Sequence, residues 1–558
     1  MKNVQPRFAI AGLAALVFLA AVLPGLRGLN YPFLFDDNWA VVNNPLVVDS
    51  LDVKEIFSSN AWGSTANYSH TPNYRPLSVL SLAATHKMVG LNPLLYRLTN
   101  LMLHGAASVA LMLLALSLGA GITASALGAL WFASHPIHAE AIFFVVTREE
   151  LTSTLLILAL LILAVKAFQS SSPEIGTRQQ DKKQRALLLI LTGTVTILAL
   201  LFKEGAVTIP FLLIAVGAAL PGSSWKTIAA MAGTAFVMLI TYLGLRYWAI
   251  GSITTAHIPW QDNPLVLVGP FERIKSALNL VPLALSLLVF PMKTTVDYGF
   301  NATGLPQTAS LGLALVGFVI IISGLALYFW SAFSKHKSAL IAVGVAVLAI
   351  PYALISNLII PSSVLFGERL LYLPSAGFAL ILVGIAEFLR TKVSSRFIGF
   401  GAAAVVVLFC LGFMGMLASR NSDFKNAKSL FDSSLAAYPG STRLWNNLGL
   451  ALQQDGDLEA GLTAIERSLS IDPTNASALN NRGRVLMQLG RPQEAMDSLV
   501  KAIEMRPGMP AALGNLCILL ASQPDVVRAT NICQLAVEKG APVDEVLEML
   551  KHKATQGP

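Results

Sequence analysis

Apolar runs long enough to cross a bilayer recur along most of this chain, and they fix its class before any single residue is weighed. They lie at roughly 8–26, 97–119, 122–135, 150–167, 186–220, 227–248, 273–291, 309–330, 339–356, 370–389 and 397–419. A helix needs about 20 apolar residues to span the hydrocarbon core, and most of these runs suffice. A soluble domain with 54% hydrophobic and 13% charged residues would leave far too much apolar surface in water. The expectation is an all-α polytopic membrane core of about eleven transmembrane helices, followed by a polar tail.

The formal net charge of +8 does not point to nucleic acid. The basic residues sit in short loops between apolar runs: Lys166 to Arg185, Lys335 to Lys337 and Arg390 to Arg396. That is the positive-inside pattern. With Lys2 and Arg7 inside, the first loop from Arg27 to Tyr96 is outside. So are Met292 to Gln307, Pro361 to Glu368 and the C-terminal tail. The run 122–135 is short for a crossing, and 186–220 is too long for one simple helix. "LFKEGAV" interrupts it, and Lys203 and Glu204 cannot face lipid cheaply. They either pair with each other or a neighbour, or mark a break between two half-runs. Parity then requires either a single crossing here or a surface position for 273–291. The start, "MKNVQPRF" and its apolar run, reads as a retained first helix, since no small-x-small cleavage site follows. Cys410, Cys517 and Cys533 make no disulfide framework, and buried free thiols are expected for the last two.

Composition changes sharply near Arg420. Pro439, Pro473 and Pro507 are spaced by 34 residues, as are Gly449 and Gly483. "TRLWNNLGLALQQDGDLEAGLTAIERSLSIDP" and "SALNNRGRVLMQLGRPQEAMDSLVKAIEMRP" read as two-helix units. Trp445, Leu448 and Gly449 set one packing face, and Ala495 lies on another. This period is the tetratricopeptide signature. Small residues are needed where paired helices approach, and each proline stops a second helix. A half unit precedes the array and a weaker third unit follows. Stacked units form a curved solenoid that holds peptides or proteins, or serves only as a packing scaffold.

The outer loops concentrate unusual residues. Asp36 and Asp37 lie in "YPFLFDDNWAVVNNP", and Arg75 lies in "TPNYRPLSVLS". "HPIHAEAIFFVVTREEL" carries His135, His138, Glu140, Arg148, Glu149 and Glu150. "FPMKTTVDYGF" supplies Lys293 and Asp297, and "GERLLYLPSAGF" supplies Glu368, Arg369 and Tyr372. A carboxylate here can take a proton from an attacking hydroxyl. A nearby arginine or lysine can hold a departing phosphate. Sugar transfer from a lipid-linked phosphate fits that set, and no nucleotide fingerprint is present. Simpler roles compete. Paired aspartates suit turns and helix starts. Arg75 before Pro76 caps a helix equally well, and Glu368–Arg369 can be a simple ion pair. His135, His138 and Glu140 are spaced for a metal only if helical, and Pro136 disrupts that geometry.

Taken in order, "FLFDDNWAVVNNP", "NYRPLSVLS", "HPIHAEAIFFVVTREEL" and "GERLLYLPSAGF", followed by the repeats, resemble the transmembrane and tetratricopeptide-repeat O-mannosyltransferase-type family. That family belongs to the polyprenyl-phosphate-sugar-dependent GT-C class. The resemblance implies a GT-C core over 1–419 and a repeat domain over 420–558, with about three and a half repeats. It implies an acidic catalytic base in the first outer loop, which falls on Asp36 or Asp37. The donor and acceptor cavity maps to Arg75, His135, His138, Glu140, Arg148, Lys293, Glu368, Arg369 and Tyr372. The implied reaction moves mannose or another hexose, with inversion, from a polyprenyl phosphate to a protein Ser/Thr hydroxyl or an envelope glycan. The implied place is a bacterial or archaeal inner membrane with the repeats extracytoplasmic. No cofactor beyond the lipid-linked donor is expected, and a divalent metal is the alternative. The implied partners are that donor, membrane lipid and an acceptor held by the repeats. A non-enzymatic repeat platform and a lipid or solute transporter are the competing readings.

Overall fold

A computed structural model describes residues 5–49, 51–63, 73–169, 178–254, 258, 260, 262–299, 302–333, 338–392 and 396–556. Lys2, Lys335 and Lys337, used above for topology, lie outside the described residues. No strand occurs among the described residues. The helices longer than ten residues are numbered here in chain order. In the first part they are α1 (Gln5–Val22), α2 (Pro76–Val89), α3 (Pro93–Ser117), α4 (Ile122–Ser134), α5 (Arg148–Gln169), α6 (Arg178–Phe202) and α7 (Ile209–Ala219). There follow α8 (Trp225–Ile250), α9 (Pro270–Val289), α10 (Leu311–Phe333), α11 (Ala339–Ile355), α12 (Tyr372–Lys392) and α13 (Arg396–Asp423). The tail adds α14 (Ala427–Ala437), α15 (Thr442–Gln454), α16 (Leu458–Ile471) and α17 (Ala476–Gln488). It ends with α18 (Pro492–Met505), α19 (Pro510–Ala521), α20 (Val526–Glu538) and α21 (Asp544–Gln556).

The chain forms two compact units. One comprises Met1–Val296 and Leu305–Asn426, and the other comprises Asp297–Gly304 and Ala427–Pro558. The last helix of the first unit runs on past Arg420 to Asp423, where those two residues form an ion pair.

In the first unit, 8 helices among the described residues are long and apolar enough to cross a membrane. They are Arg7–Gly28, Pro93–Ser117, Arg148–Gln169, Lys182–Phe202, Trp225–Ile250, Leu311–Phe333, Glu368–Lys392 and Gly399–Asp423. Three more apolar helices are shorter: Ile122–Ser134, Glu204–Ala219 and Ala339–Ile355. At about 1.5 Å per residue they fall short of the roughly 30 Å hydrocarbon core. The run around α9 meets neither description, and Glu272, Arg273, Lys275 and Asn279 give that helix a polar side. The long run at 186–220 is two helices. Lys203 is extended (φ −154°, ψ 133°), and a tight turn, Glu204–Thr208, precedes α7. Lys203 and Glu204 pair with other residues rather than with each other.

Helix packing in this unit uses small residues, as expected where no hydrophobic force separates helix from lipid. α11 and α12 pack most closely. A Cβ at Gly344 would stand 2.8 Å from the Gly377 carbonyl oxygen, so a larger residue would push the helices apart. α10 leaves Leu313, Val316, Val319 and Ile322 exposed, as a lipid-facing helix does.

The second unit is the helical array. Pro439, Pro473 and Pro507 each stand two residues past the end of a helix, at Ala437, Ile471 and Met505. A Cβ at Gly449 would meet Ile465 Cγ1 at 2.5 Å, and one at Gly483 would meet Leu499 Cγ at 2.6 Å. Leu448 and Ala495 are buried, and the Trp445 indole donates to the Pro439 carbonyl at 2.9 Å. The segment Asp297–Gly304 belongs to this unit. Asp297 Oδ2 accepts from the Ser441 hydroxyl, which in turn caps α15. Tyr298 packs edge-on against Tyr438.

The expectation of free thiols is overturned. Cys517 and Cys533 form a disulfide, with Cα atoms 4.8 Å apart. The physical reason is the register of the repeats. Cys517 lies 34 residues after Gly483, and Cys533 lies 34 after Leu499. The pair therefore occupies the contact that Gly449–Ile465 and Gly483–Leu499 make in the earlier units. In the third unit that contact is covalent. Cys410 is free and buried.

Candidate functional site

The site begins at a strained turn. Leu34 and Asp37 close it through an amide–carbonyl hydrogen bond of 3.0 Å, and Phe35 takes φ 52°, a left-handed conformation rare for an aromatic residue. Its ring lies 6.1 Å from that of Phe144. The turn separates two adjacent acids. Asp36 remains 21% exposed, and its Oδ2 lies 3.7 Å from Arg369 Nη1. Asp37 is fully buried, and its Oδ1 accepts from the Val146 amide at 2.9 Å. Burial pushes the Asp37 carboxyl up to about 6, against the pull of Arg97 and the amides of Val146 and Val145, with Asp36 adding to the rise. Its Oδ2 has no hydrogen-bond partner among the described residues.

Arg369 is the cation of the cluster. It lies in the tight turn Glu368–Leu371 that leads into α12. Glu140 grips it twice: Oε1 accepts from Nη1 at 2.7 Å, and Oε2 accepts from the backbone amide at 3.0 Å. Glu140 is almost inaccessible, while Arg369 keeps 24% of its side chain exposed. One guanidinium therefore faces two carboxylates, Glu140 at 2.7 Å and Asp36 at 3.7 Å. Glu368 does not pair with Arg369. It accepts from the Thr295 amide at 2.6 Å.

Arg75 belongs to a separate ionic network. Its guanidinium makes a bidentate contact to Glu204 at 2.6 and 2.7 Å, and reaches Glu149 at 2.5 Å. Lys203 joins Glu149 at 3.2 Å and Glu150 at 2.6 Å. This network ties the start of α5 to the break between α6 and α7. A cavity of about 50 Å³ borders it, lined by Glu150, Thr154, Lys203, Pro351, Leu370 and Leu373. Arg148 is buried elsewhere. It donates to the Ser81 carbonyl and the Thr85 hydroxyl, and its cation lies 5.7 Å from the Tyr96 ring centre. It fixes α2 and α3 against α5.

The histidines form a closed aromatic cluster. His104 Nε2 faces the Ala133 carbonyl, so it must donate, and Nδ1 accepts from the Tyr372 hydroxyl at 2.7 Å. His135 Nδ1 accepts from the Ile137 amide, leaving Nε2 to donate to the Leu288 carbonyl. The Ser375 hydroxyl donates to the Tyr372 carbonyl, so it accepts from His138 Nε2. The partners thus select neutral rings with the proton on Nε2. His135, His138 and Tyr372 pack against Trp131 and Phe132 rather than lining an open cavity. No metal-holding group of three His, Cys, Asp or Glu residues occurs among the described residues. Lys293 is exposed and makes no hydrogen bond or ion pair among them.

The sequence thus brings Asp36, Glu140 and Arg369 together. It places His135, His138, Tyr372, Arg148, Arg75, Glu368 and Lys293 in other settings. Two buried residues escaped sequence reasoning. Arg97 holds the carbonyls of Tyr31, Pro32 and Phe143, and His104 holds Tyr372. Their signal was a polar side chain inside the apolar run of α3.

The fold defines the class: a polytopic helical membrane protein with tetratricopeptide repeats. The tetratricopeptide repeat family matches residues 414–476 and 449–510. Over the longer chain, similarity runs to human protein O-mannosyl-transferase TMTC3, 27% identical over 450 residues, covering 76% of this chain and 47% of that protein. The Caenorhabditis elegans protein O-mannosyl-transferase F38B6.6 is 26% identical over 79% of this chain and 60% of its own length. Mouse protein O-mannosyl-transferase TMTC4 is 26% identical over 76% of this chain and 61% of its own. The chain spans about half to three fifths of the length of these relatives, and the homology is distant.

Proposed function

We propose that the protein is a membrane glycosyltransferase of the GT-C class, which moves a hexose, mannose by the relatives' names, from a polyprenyl phosphate to a hydroxyl. The observation that carries this reading is the unequal pairing at Arg369: Glu140 at 2.7 Å and Asp36 at 3.7 Å. Asp36 is the general base. It is partly exposed and lies beside the Arg369 guanidinium, whereas Asp37 is buried against the Val146 amide and positions the turn. The acceptor O–H proton passes to Asp36 as the hydroxyl oxygen bonds to the anomeric carbon from the face opposite the leaving group. The bond from that carbon to the phosphate oxygen breaks, its electron pair leaves with the phosphate, and Arg369 holds the new charge. Glu140 keeps Arg369 aimed.

Eleven crossings follow if the three shorter apolar helices cross where the bilayer thins around them, added to the eight long ones. The repeats lie on the extracytoplasmic face, where the acceptor is taken from protein or envelope glycan. The Cys517–Cys533 disulfide supports that placement, because such bonds persist in oxidising compartments. The test is transfer of labelled mannose from a polyprenyl phosphate in membranes carrying the wild-type or Asp36→Asn protein. Undiminished transfer by the variant would remove the assignment.

A further inference from the structure

Helix α9 lies across one end of the membrane unit rather than through it. Near its start, Arg273 Nη2 donates to the Ile359 carbonyl at 3.4 Å, in the turn that follows α11. At its middle, Asn279 accepts from the Ser310 amide at 3.0 Å and donates to the Ser310 carbonyl at 2.9 Å, just before α10. Near its end, the Leu288 carbonyl accepts from His135 at 3.1 Å. These ties place α9 at the end of the helix bundle that carries Arg369. The turn after α11 leads into Arg369, and His135 lies close in sequence to Glu140, which grips it.

The outward side of this helix is apolar. Phe271, Ile274, Leu278, Leu285 and Val289 fall at helical spacing on one side of α9, and each is exposed or half-buried. The α9 backbone rests on α10, where Gly317 meets the Leu278 carbonyl and leaves no room for a side chain. The stripe thus continues the lipid-facing surface of α10. The turn after α11 adds Ile359 and Ile360, both exposed. A buried clamp holds them out. Asn357 is left-handed (φ 61°), and its Oδ1 accepts from the Asn263 side chain at 2.7 Å and the Ser362 amide at 2.8 Å. Its Nδ2 donates to the Leu365 carbonyl at 2.9 Å. A turn tied this firmly does not fold its isoleucines inward, and the bilayer already beside α10 is what covers them.

Between the two apolar groups stands a cation with no counter-ion. Among the described residues, no carboxylate lies within ion-pair distance of Arg273, whereas Lys275, two positions on, pairs with Glu272 at 2.6 Å. Arg273 Nε is buried and has no hydrogen-bond partner among them, and Nη2 reaches only a neutral carbonyl. A guanidinium matches two oxygens of one phosphate. An arginine flanked by apolar side chains at a bilayer edge keeps its head at the level of the lipid phosphates.

We propose that Arg273 binds the phosphate of an anionic phospholipid in the leaflet on the Arg369 side, with Phe271, Ile274, Ile359 and Ile360 set among the acyl chains. This binding does not depend on sugar transfer. The test is native mass spectrometry of the full chain released from detergent, offered equal amounts of dioleoyl phosphatidylglycerol and dioleoyl phosphatidylcholine. The anionic lipid should be retained about fivefold more, the usual worth of one basic residue at an anionic surface. Arg273→Gln should remove the preference. Lys275→Gln, whose charge Glu272 already answers, should keep it. Equal retention of both lipids by the wild type overturns the proposal, and that comparison needs no variant to fold. An unchanged preference in Arg273→Gln also overturns it. So does displacement of the phosphatidylglycerol by an equal amount of a polyprenyl phosphate, which would give the site to the sugar carrier. Depth is read separately. Cys410 is buried and the other two cysteines are bonded to each other, so a nitroxide attached to Phe271→Cys reports that position alone. In nanodiscs of the same two lipids it should collide more with oxygen than with a water-soluble nickel chelate, and a label on Lys293→Cys should do the reverse. A Phe271→Cys label that meets the chelate more often overturns the proposal.

Discussion

Among the described residues, the membrane unit holds two ionic clusters built from the same residue types, and they differ in exposure. In the first, Arg369 is shared between a buried Glu140 and a partly open Asp36. In the second, Arg75 and Lys203 are consumed by Glu149, Glu150 and Glu204 at distances from 2.5 to 3.2 Å. The first has a carboxylate and a cation that both keep part of their side chains exposed, 21% for Asp36 and 24% for Arg369. The second has its charges paired at the break between α6 and α7, and breaking it would strand ions with little water around them. Charge inside a membrane protein is therefore not by itself the mark of chemistry. An acid and a cation that meet and both stay partly exposed are the better mark.

The comparison predicts opposite signatures. Asp36→Asn should lower transfer by about 10²–10⁴-fold, the usual worth of a general base, while thermal unfolding in detergent stays unchanged. A variant that unfolds early would move Asp36 into the structural class. Arg75→Ala should do the reverse. It leaves Glu204 and one side of Glu149 without their cation and should cost about 3–5 kcal/mol of stability, read as a lowered unfolding midpoint. An unaltered midpoint would mean that the second cluster is also open to rearrangement.

Asp37 tests the boundary between the classes. Its folded carboxyl titrates near 6, above the model-peptide range of about 3.9. A raised folded value means that stability from this group is full below about pH 4 and is lost as pH rises through about 6. The loss is at most about 3 kcal/mol, taking ~1.4 kcal/mol per pH unit. Asp37→Asn keeps an oxygen for the Val146 amide and cannot ionise. The difference in unfolding midpoint between wild type and variant should therefore widen in the variant's favour from pH 4 to 6. A flat difference would place the buried charge elsewhere.

Legibility in the sequence followed the range of the interactions. The repeats announce themselves because one 34-residue unit repeats its own contacts, at Gly449 and Gly483. The same register would have revealed the disulfide, had Cys517 and Cys533 been aligned on Gly483 and Leu499. The apolar runs were equally plain, but their count as crossings was not. Lys203 divides one run, and the short α4 and α11 satisfy the apolar pattern without the length. The cluster at Arg369 joins residues more than 100 positions apart, and no local pattern encodes which acid meets which cation. Motif proximity put His135, His138 and Glu140 in one group, yet the tight turn at Pro136 sends the histidines into an aromatic core and Glu140 toward Arg369.

Lys293 supplies the smallest effect and the control for the whole comparison. The sequence grouped it with the cavity residues because it lies in an outer loop beside Thr295 and Asp297. In the fold it is exposed and makes no ion pair or hydrogen bond among the described residues, although Thr295, two positions on, is held by Glu368. A solvated lysine loses little when truncated, because its charge is already compensated by water and salt. Lys293→Ala should change stability by no more than about 0.5 kcal/mol and leave transfer at the wild-type rate. A fall in transfer with an unchanged unfolding midpoint would show that the loop closes over the donor, and the open cluster would then include a second cation.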